Sequence, residues 1–416
     1  MAQLRPNNDS RGAWLAVAGW IGAIYLAVPF ARSFQAWLGC FCDRAIFLWA
    51  VIFALGLGTG YALIRLFRER RTIKTTRLPW IIGVAGVFLW NAWQLRANPE
   101  ESFHYFEYGL LGLLVFWALS RRCRDPLIYL LAVLIALLVG TGDEILQWLT
   151  PGRFFDARDI GFNALASALI QIGIAGGFRP AFVQWPIDPR SVRWGCGLAA
   201  AQVLLSALCL FNTPQRVQLY ASRIPSLSYL QFKENGMSEY GCRHFDPETG
   251  FFYSRFTLAE LKTLDARRAT EAAELLDRFH DPRKYGEFLR TYTPITDPFL
   301  HEIRVHLYRR DHYLHLISKT PAQDASFSYG HLAAFRENRI AEKYFPETLK
   351  QSHYSLKSNV VDSLRRKMDA TIYVSAVSAG LITRLNEVQV GFLLAVLMGI
   401  IGVVYWRYGR KNRVHD

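Results

Sequence analysis

Asp143 and Glu144 end an apolar run long enough to cross a bilayer, in "GTGDEILQWLTPGR" (140–153), and Pro126 to Gly142 before them carry no charge. A carboxylate at membrane depth costs at least about 2.5 kcal/mol on insertion scales, so such residues mark a function or a specific partner. Other reactive side chains stand at helical spacing nearby: His104 with Glu107, Asp143 and Glu144 with Gln147, and Asp159 with Asn163. Intervals of three or four put each set on one helix face. A histidine near an acid can serve as general base or nucleophile. Arg153, in the loop after the acids, could grip a phosphate through two N–H groups. Asp143 and Glu144 are about 100° apart around a helix, so only one can point squarely into a shared cluster.

Eight largely uncharged segments could hold these residues: Gly12–Ala31, Ala45–Ile64, Leu78–Leu95, Phe103–Ser120, Pro126–Leu149, Ile160–Phe178, Trp194–Phe211 and Val388–Trp406. Each has the length and polarity of a membrane helix. Lys and Arg are retained on the cytoplasmic side. With the amino terminus inside, the inner segments hold 18 of them and the short outer loops 5. Both termini are then expected in the cytoplasm, with 212–387 outside. The first span reads as a retained signal anchor, because it exceeds a signal core and another span follows. Topology and anionic headgroups account for the net charge of +14. No nucleic-acid module is apparent.

On this topology His104 and Glu107, Asp143, Glu144 and Gln147, and Asp159 and Asn163 reach one level. That level is about 5–10 Å below the outer helix ends, with Arg153 above. Phe154 and Phe155 would anchor the loop in the interface, and Pro151–Gly152 would turn it tightly.

The expected fold class is an all-α polytopic membrane protein with an α+β extracytoplasmic domain inserted between its last two helices. The expected division is 1–211, 212–387 and 388–416. In the inserted segment, 256–279 repeats Leu and Ala at helical spacing behind a Thr257–Glu260 capping box. "HEIRVHLYRRDHYLHLIS" (301–318) alternates, which predicts two strands around an Arg309–Arg310–Asp311 turn. Its His301, His306, His312 and His315 would then point to different faces and hold no metal. "TIYVSAVSAGLIT" (371–383) is too short to span a bilayer and reads as a buried strand or, alternatively, a segment lying on the membrane surface before the last helix. Six cysteines give no disulfide framework: Cys40, Cys42 and Cys242 would lie outside, where a disulfide is possible, but a bridge between Cys40 and Cys42, two apart, would be strained. No cofactor is implied.

The segment from 100 to 177 resembles the VanZ-like family of bacterial membrane proteins. Its pattern sets an acid four residues before a His–aromatic–x–x–Tyr helix start, here Glu100, His104, Tyr105 and Tyr108. Asp–Glu–x–x–Gln, Pro–Gly–Arg, and an Asp and Asn four apart follow. Asp143, Glu144 and Gln147, then Pro151, Gly152 and Arg153, then Asp159 and Asn163 match them. The chain departs from the family at Glu100–Glu101, commonly Asp–Lys, and at Ala166 and Ile170, commonly glycines. The resemblance implies a protein acting at the outer membrane face on lipid head groups or lipid-linked envelope intermediates. The family is named for a protein linked to teicoplanin-type antibiotic resistance.

Two functions compete. In the first, the chain is a membrane-embedded hydrolase or transferase on a phosphate-containing lipid. His104, Glu107, Asp143 and Glu144 would be catalytic, with His104 as base or nucleophile and Glu144 as its orienter or as the acid. Gln147, Arg153, Asp159, Asn163 and Tyr108 would bind substrate, with Asp159 orienting Arg153. In the second, the same residues bind an envelope lipid or precursor and present it to a partner. A proton-coupled carrier would also need polar residues on the inner half, and spans four to six lack charge there.

Overall fold

Pro29 ends the first apolar helix early. In the computed structural model α1 (Ser10–Ala27) stops before it, and α2 (Ala31–Gly39) leaves at a bend of 69°. Proline lacks the N–H an unbroken helix needs and restricts the residue before it. The single straight span expected over Gly12–Ala31 is therefore a broken pair. The structure describes residues 10–68, 76–319, 325–369 and 371–410. The basic segments 1–9, 69–75 and 411–416, which enter the charge count above, lie outside the described residues.

The next helices are α3 (Ile46–Arg68), α4 (Leu78–Gln94), α5 (Phe103–Leu119), α6 (Leu127–Leu149), α7 (Ala157–Gly173) and α8 (Pro189–Leu210). After α8 come α9 (Pro214–Ala221), β1 (Cys242–Asp246), β2 (Gly250–Ser254), α10 (Leu258–Arg278) and α11 (Tyr285–Thr291). The chain ends with α12 (Pro298–Lys319), α13 (Ala325–Tyr344), α14 (Pro346–Gln351), α15 (Ser358–Lys367) and α16 (Glu387–Arg410). Seven described helices are long and apolar enough to cross a membrane, and the bent α1–α2 pair makes eight. The chain forms two compact units, Met1–Leu208 with Leu393–Asp416, and Cys209–Phe392.

In the first unit α5, α6 and α7 form the buried centre. Small residues let these helices approach closely. A Cβ at Gly112 would stand 2.7 Å from Ser167 Oγ, and one at Gly140 would stand 3.1 Å from Asn163. Gln171 Nε2 donates to Gly112 O at 2.9 Å, tying α7 to α5. Helix α1 joins through Trp20, which donates to Glu107 O at 3.0 Å, and through Tyr25, which donates to Val139 O at 3.0 Å. By contrast α3, α8 and α16 expose large apolar and aromatic side chains, including Trp49, Trp194 and Trp406. Such rings suit lipid and its interface.

The second unit has its own core, centred on Phe252, Leu276, Phe288, Leu300, Ile303, Leu307 and Phe345. Strands β1 and β2 pair antiparallel, with His244 opposite Phe252. Thr257 and Glu260 form the expected capping box at the start of α10. The expected hairpin over 301–318 is instead one continuous helix, α12. Its buried set includes Leu300, Ile303, His306, Leu307 and Arg310, a 3.6-residue period. Glu302, Arg304, His306 and Arg310 are buried polar residues, and they disguised that period as alternation. The four histidines thus share a helix rather than strand faces. Among the described residues no three His, Cys, Asp or Glu side chains gather closely enough to hold a metal.

The expected strand at 371–383 is instead interrupted by a turn at 377–380 and makes only isolated bridges, Phe251 with Val374 and Tyr240 with Ile382. Its inward side chains Tyr373 and Ser375 reach a buried carboxylate on α13. Glu337 accepts from Tyr373 Oη at 2.6 Å, Ser375 Oγ at 2.8 Å and His306 Nδ1 at 2.5 Å. Burial opposes its charge, but these partners hold Glu337 below the usual carboxylate range.

Candidate functional site

Three helix ends meet at one end of the first unit. Helix α5 starts there after a short 3-10 turn, Pro99–Ser102, closed by Ser102 Oγ donating to Pro99 O at 2.5 Å. Its opening turns carry His104, Glu107 and Tyr108. Helix α6 finishes there with Asp143, Glu144 and Gln147, and α7 begins there with Asp159 and Asn163. Between α6 and α7 the chain turns through Pro151–Gly152. Gly152 has a φ of 72°, which a side chain would strain, and Arg153 N donates to Thr150 O at 3.2 Å. Asp156 caps α7 by accepting from Arg158 N at 2.8 Å.

Gln147 is the hub. Its Nε2 donates to Glu144 Oε1 at 2.8 Å and, more weakly, to Asp143 Oδ2 at 3.4 Å. Its Oε1 accepts from Arg153 Nη2. Asp143 Oδ2 also accepts from Tyr108 Oη at 3.2 Å, while Asp143 Oδ1 is buried with no hydrogen-bond partner. His104 stands between two acids, with Nδ1 3.7 Å from Glu107 and Nε2 3.8 Å from Asp159.

A cavity of about 600 Å³ opens among these groups. His104, Glu107, Asp143, Gln147 and Arg153 line it, as do Glu100 and Phe103. Apart from Gln35, its remaining walls are apolar, including Ile24 and Val28, Phe34 and Leu38 of α2, and Phe47 of α3. Its lining therefore joins a cation, carboxylates, an imidazole and an amide to greasy walls. Such a set can bind an anion, move a proton, and shelter the apolar part of an amphiphile.

Four candidate residues stand behind this lining. Tyr108 braces Asp143. Asp159 lies against His104, its Oδ2 3.8 Å from Nε2. Asn163 is fully buried and packs against Gly140, its amide without a hydrogen-bond partner. Glu144, expected beside His104, turns away, and its Oε2 accepts from Asp156 N at 2.9 Å. The 100° offset between the adjacent acids explains this, since one carboxylate facing the cavity sends the other toward the loop.

Sequence reasoning missed the α2 wall and the Arg44–Glu100 ion pair at the rim. Both had a signal. Pro29 marks the break, and Phe34, Trp37 and Leu38 recur at helical spacing after it.

The fold and cavity define a polytopic helical membrane protein with a polar site at one end of its bundle. Residues 45–178 match the VanZ/LLP1 family model. No curated protein and no solved structure matches the chain. Gly109 of α5 stands opposite Ile170, where a Cβ would lie 3.8 Å from Ile170 Cγ1.

Proposed function

We propose that this protein acts at the outer face of the bacterial cytoplasmic membrane on a phosphate-bearing lipid head group or lipid-linked envelope intermediate. The observation that carries the reading is the lining of the cavity. Arg153 and His104 offer cationic or polar donors, Asp143 offers a buried unpaired oxygen, and the walls are apolar. An amphiphile with an anionic head and further hydroxyl or amine donors matches both halves. The excess of Lys and Arg on the segments joining the opposite helix ends supports an outward-facing site, with residues 212–387 on the same side.

As an enzyme, the site would use His104 as general base or nucleophile, with Glu107 and Asp159 setting its charge. Arg153 would hold phosphate, and Asp143 would take a donor of the head group. The reaction class is hydrolysis or transfer at phosphate. One observation favours binding without chemistry: the His104 distances of 3.7 and 3.8 Å exceed hydrogen-bond range. The protein would then present an envelope lipid to a partner.

Incubating the reconstituted protein with phosphate-labelled envelope lipids separates the two. Label released or transferred by the native chain, but not by His104→Ala, supports the enzyme. Retention of intact lipid, lost in Arg153→Ala, supports the carrier. Neither outcome with any lipid class would refute both.

A further inference from the structure

A second cavity of about 330 Å³ lies within the same unit, among α3, α4, α5 and α7. Its walls are almost wholly apolar. It shares two elements with the polar cavity. On α3, Phe47 and Ala50 line the polar cavity, and Val51, Ala54, Gly58 and Ala62 continue one helical stripe along the apolar groove. On α5, Phe103 lines the first and Phe106 the second, their rings 5.5 Å apart. The groove therefore begins where the polar cavity ends, with this aromatic pair at the junction. From Val51 to Ala62 it runs about 16 Å by helix rise, roughly half the hydrocarbon thickness of a bilayer. That is the depth of one leaflet.

A buried polar group supplies an independent indication of its occupant. Tyr105 lines the groove near this junction, is 1 % exposed, and its hydroxyl has no hydrogen-bond partner. An unsatisfied buried hydroxyl is costly, which favours a ligand that brings an acceptor. A fatty-acyl ester has a carbonyl where head group and tail join, whereas a polyprenyl chain has no such group.

We propose that the groove binds one fatty-acyl chain of an ester-linked glycerolipid whose head group enters the polar cavity, with Tyr105 Oη meeting the ester carbonyl. This rests on the lipid-head-group reading above. It commits that reading to a glycerolipid and makes Gly58 a determinant of tail fit. A Cβ added at Gly58, which lines the groove, meets no atom within 4 Å, so a side chain there starts from open space.

The test uses the full-length protein in phosphatidylcholine vesicles doped with phosphatidylglycerol carrying a photoactivatable acyl chain. Crosslinks should map to α3 between Val51 and Ala62 and to the facing turns of α5. Gly58→Trp should reduce them at least about tenfold, Gly58→Ala should spare them, and labelling of the exposed Val403 on α16 should not change. Ala62→Phe is the second plug should Gly58→Trp not accumulate. An ether-linked probe should label the native groove less than the ester probe, and Tyr105→Phe should erase that difference. Groove labelling insensitive to both plugs would overturn the proposal, as would competition by a polyprenyl phosphate but not by unlabelled glycerolipid. The head-group reading fails separately, if Arg153→Ala and Asp143→Asn leave the retention of anionic lipid unchanged while the plugs still abolish groove labelling.

Discussion

Asp143 and Glu144 are neighbours in sequence but serve different surroundings: Asp143 lines the polar cavity, while Glu144 holds the backbone N–H of Asp156 at 2.9 Å. Gln147 joins them with one amide group. Substitutions at the two acids should therefore fail in different ways.

Glu144→Ala leaves the Asp156 N–H without its acceptor, a loss of about 1 kcal/mol for this partly buried donor. The loop 150–156 should lose hydrogen-exchange protection, and protein abundance should fall with it. Asp143→Asn keeps the shape and should leave loop protection and abundance unchanged while lipid retention is lost. Equal loss of protein in both variants would contradict this division.

The cavity residues should behave as one site. Asp143→Asn and His104→Ala should each abolish lipid retention or turnover, and the double variant should be no worse than either alone. Ile145→Ala, outside the lining, should matter little. Additive losses would place the two residues in separate sites.

Acid should weaken the second unit. Burial and the charge of Arg255 push His301 down to about 4 from an ordinary 6.5. Between those values the unfolded chain binds the extra proton and the folded one does not. The stabilisation is thus full above pH 6.5 and lost as pH falls toward 4, by roughly 3 kcal/mol. Glu337, held low in the fold, adds a loss at lower pH as it is protonated. Exchange protection of α12 in the full-length protein should fall across this window, and His301→Gln should flatten the upper part. Protection unchanged from pH 6.5 to 4 would refute the assignment.

Topology can be read with single cysteines in a cysteine-free chain. The loops 70–75 and 320–324 lie outside the described residues, so Arg283→Cys and Trp185→Cys, at positions exposed in the structure, serve better. An impermeant maleimide should label position 283 in intact cells and position 185 only after lysis. The reverse pattern would invert the orientation.

Much of the membrane unit was legible because its helices are long, uncharged runs, and because intervals of three and four within α5, α6 and α7 place polar groups on one face. Helix rotation was not legible. Nothing in the spacing says which of Asp143 and Glu144 faces the cavity, since that depends on how α6 packs against α1 and α5. In the second unit the capping box at Thr257 was readable because both its groups are local. Helix α12 was not, because its buried face carries Glu302, Arg304, His306 and Arg310, whose partners, Asp311 beside Arg310 excepted, lie far along the chain. Apolar period alone cannot register such a face.

The most direct test of the central claim is native mass spectrometry of the full-length protein released from its own membrane. The native chain and Ile145→Ala should each retain a phosphate-containing lipid, and Asp143→Asn and Arg153→Ala should each lose it at unchanged abundance. Equal retention by all four proteins would contradict a head-group site in the cavity between α5 and α6.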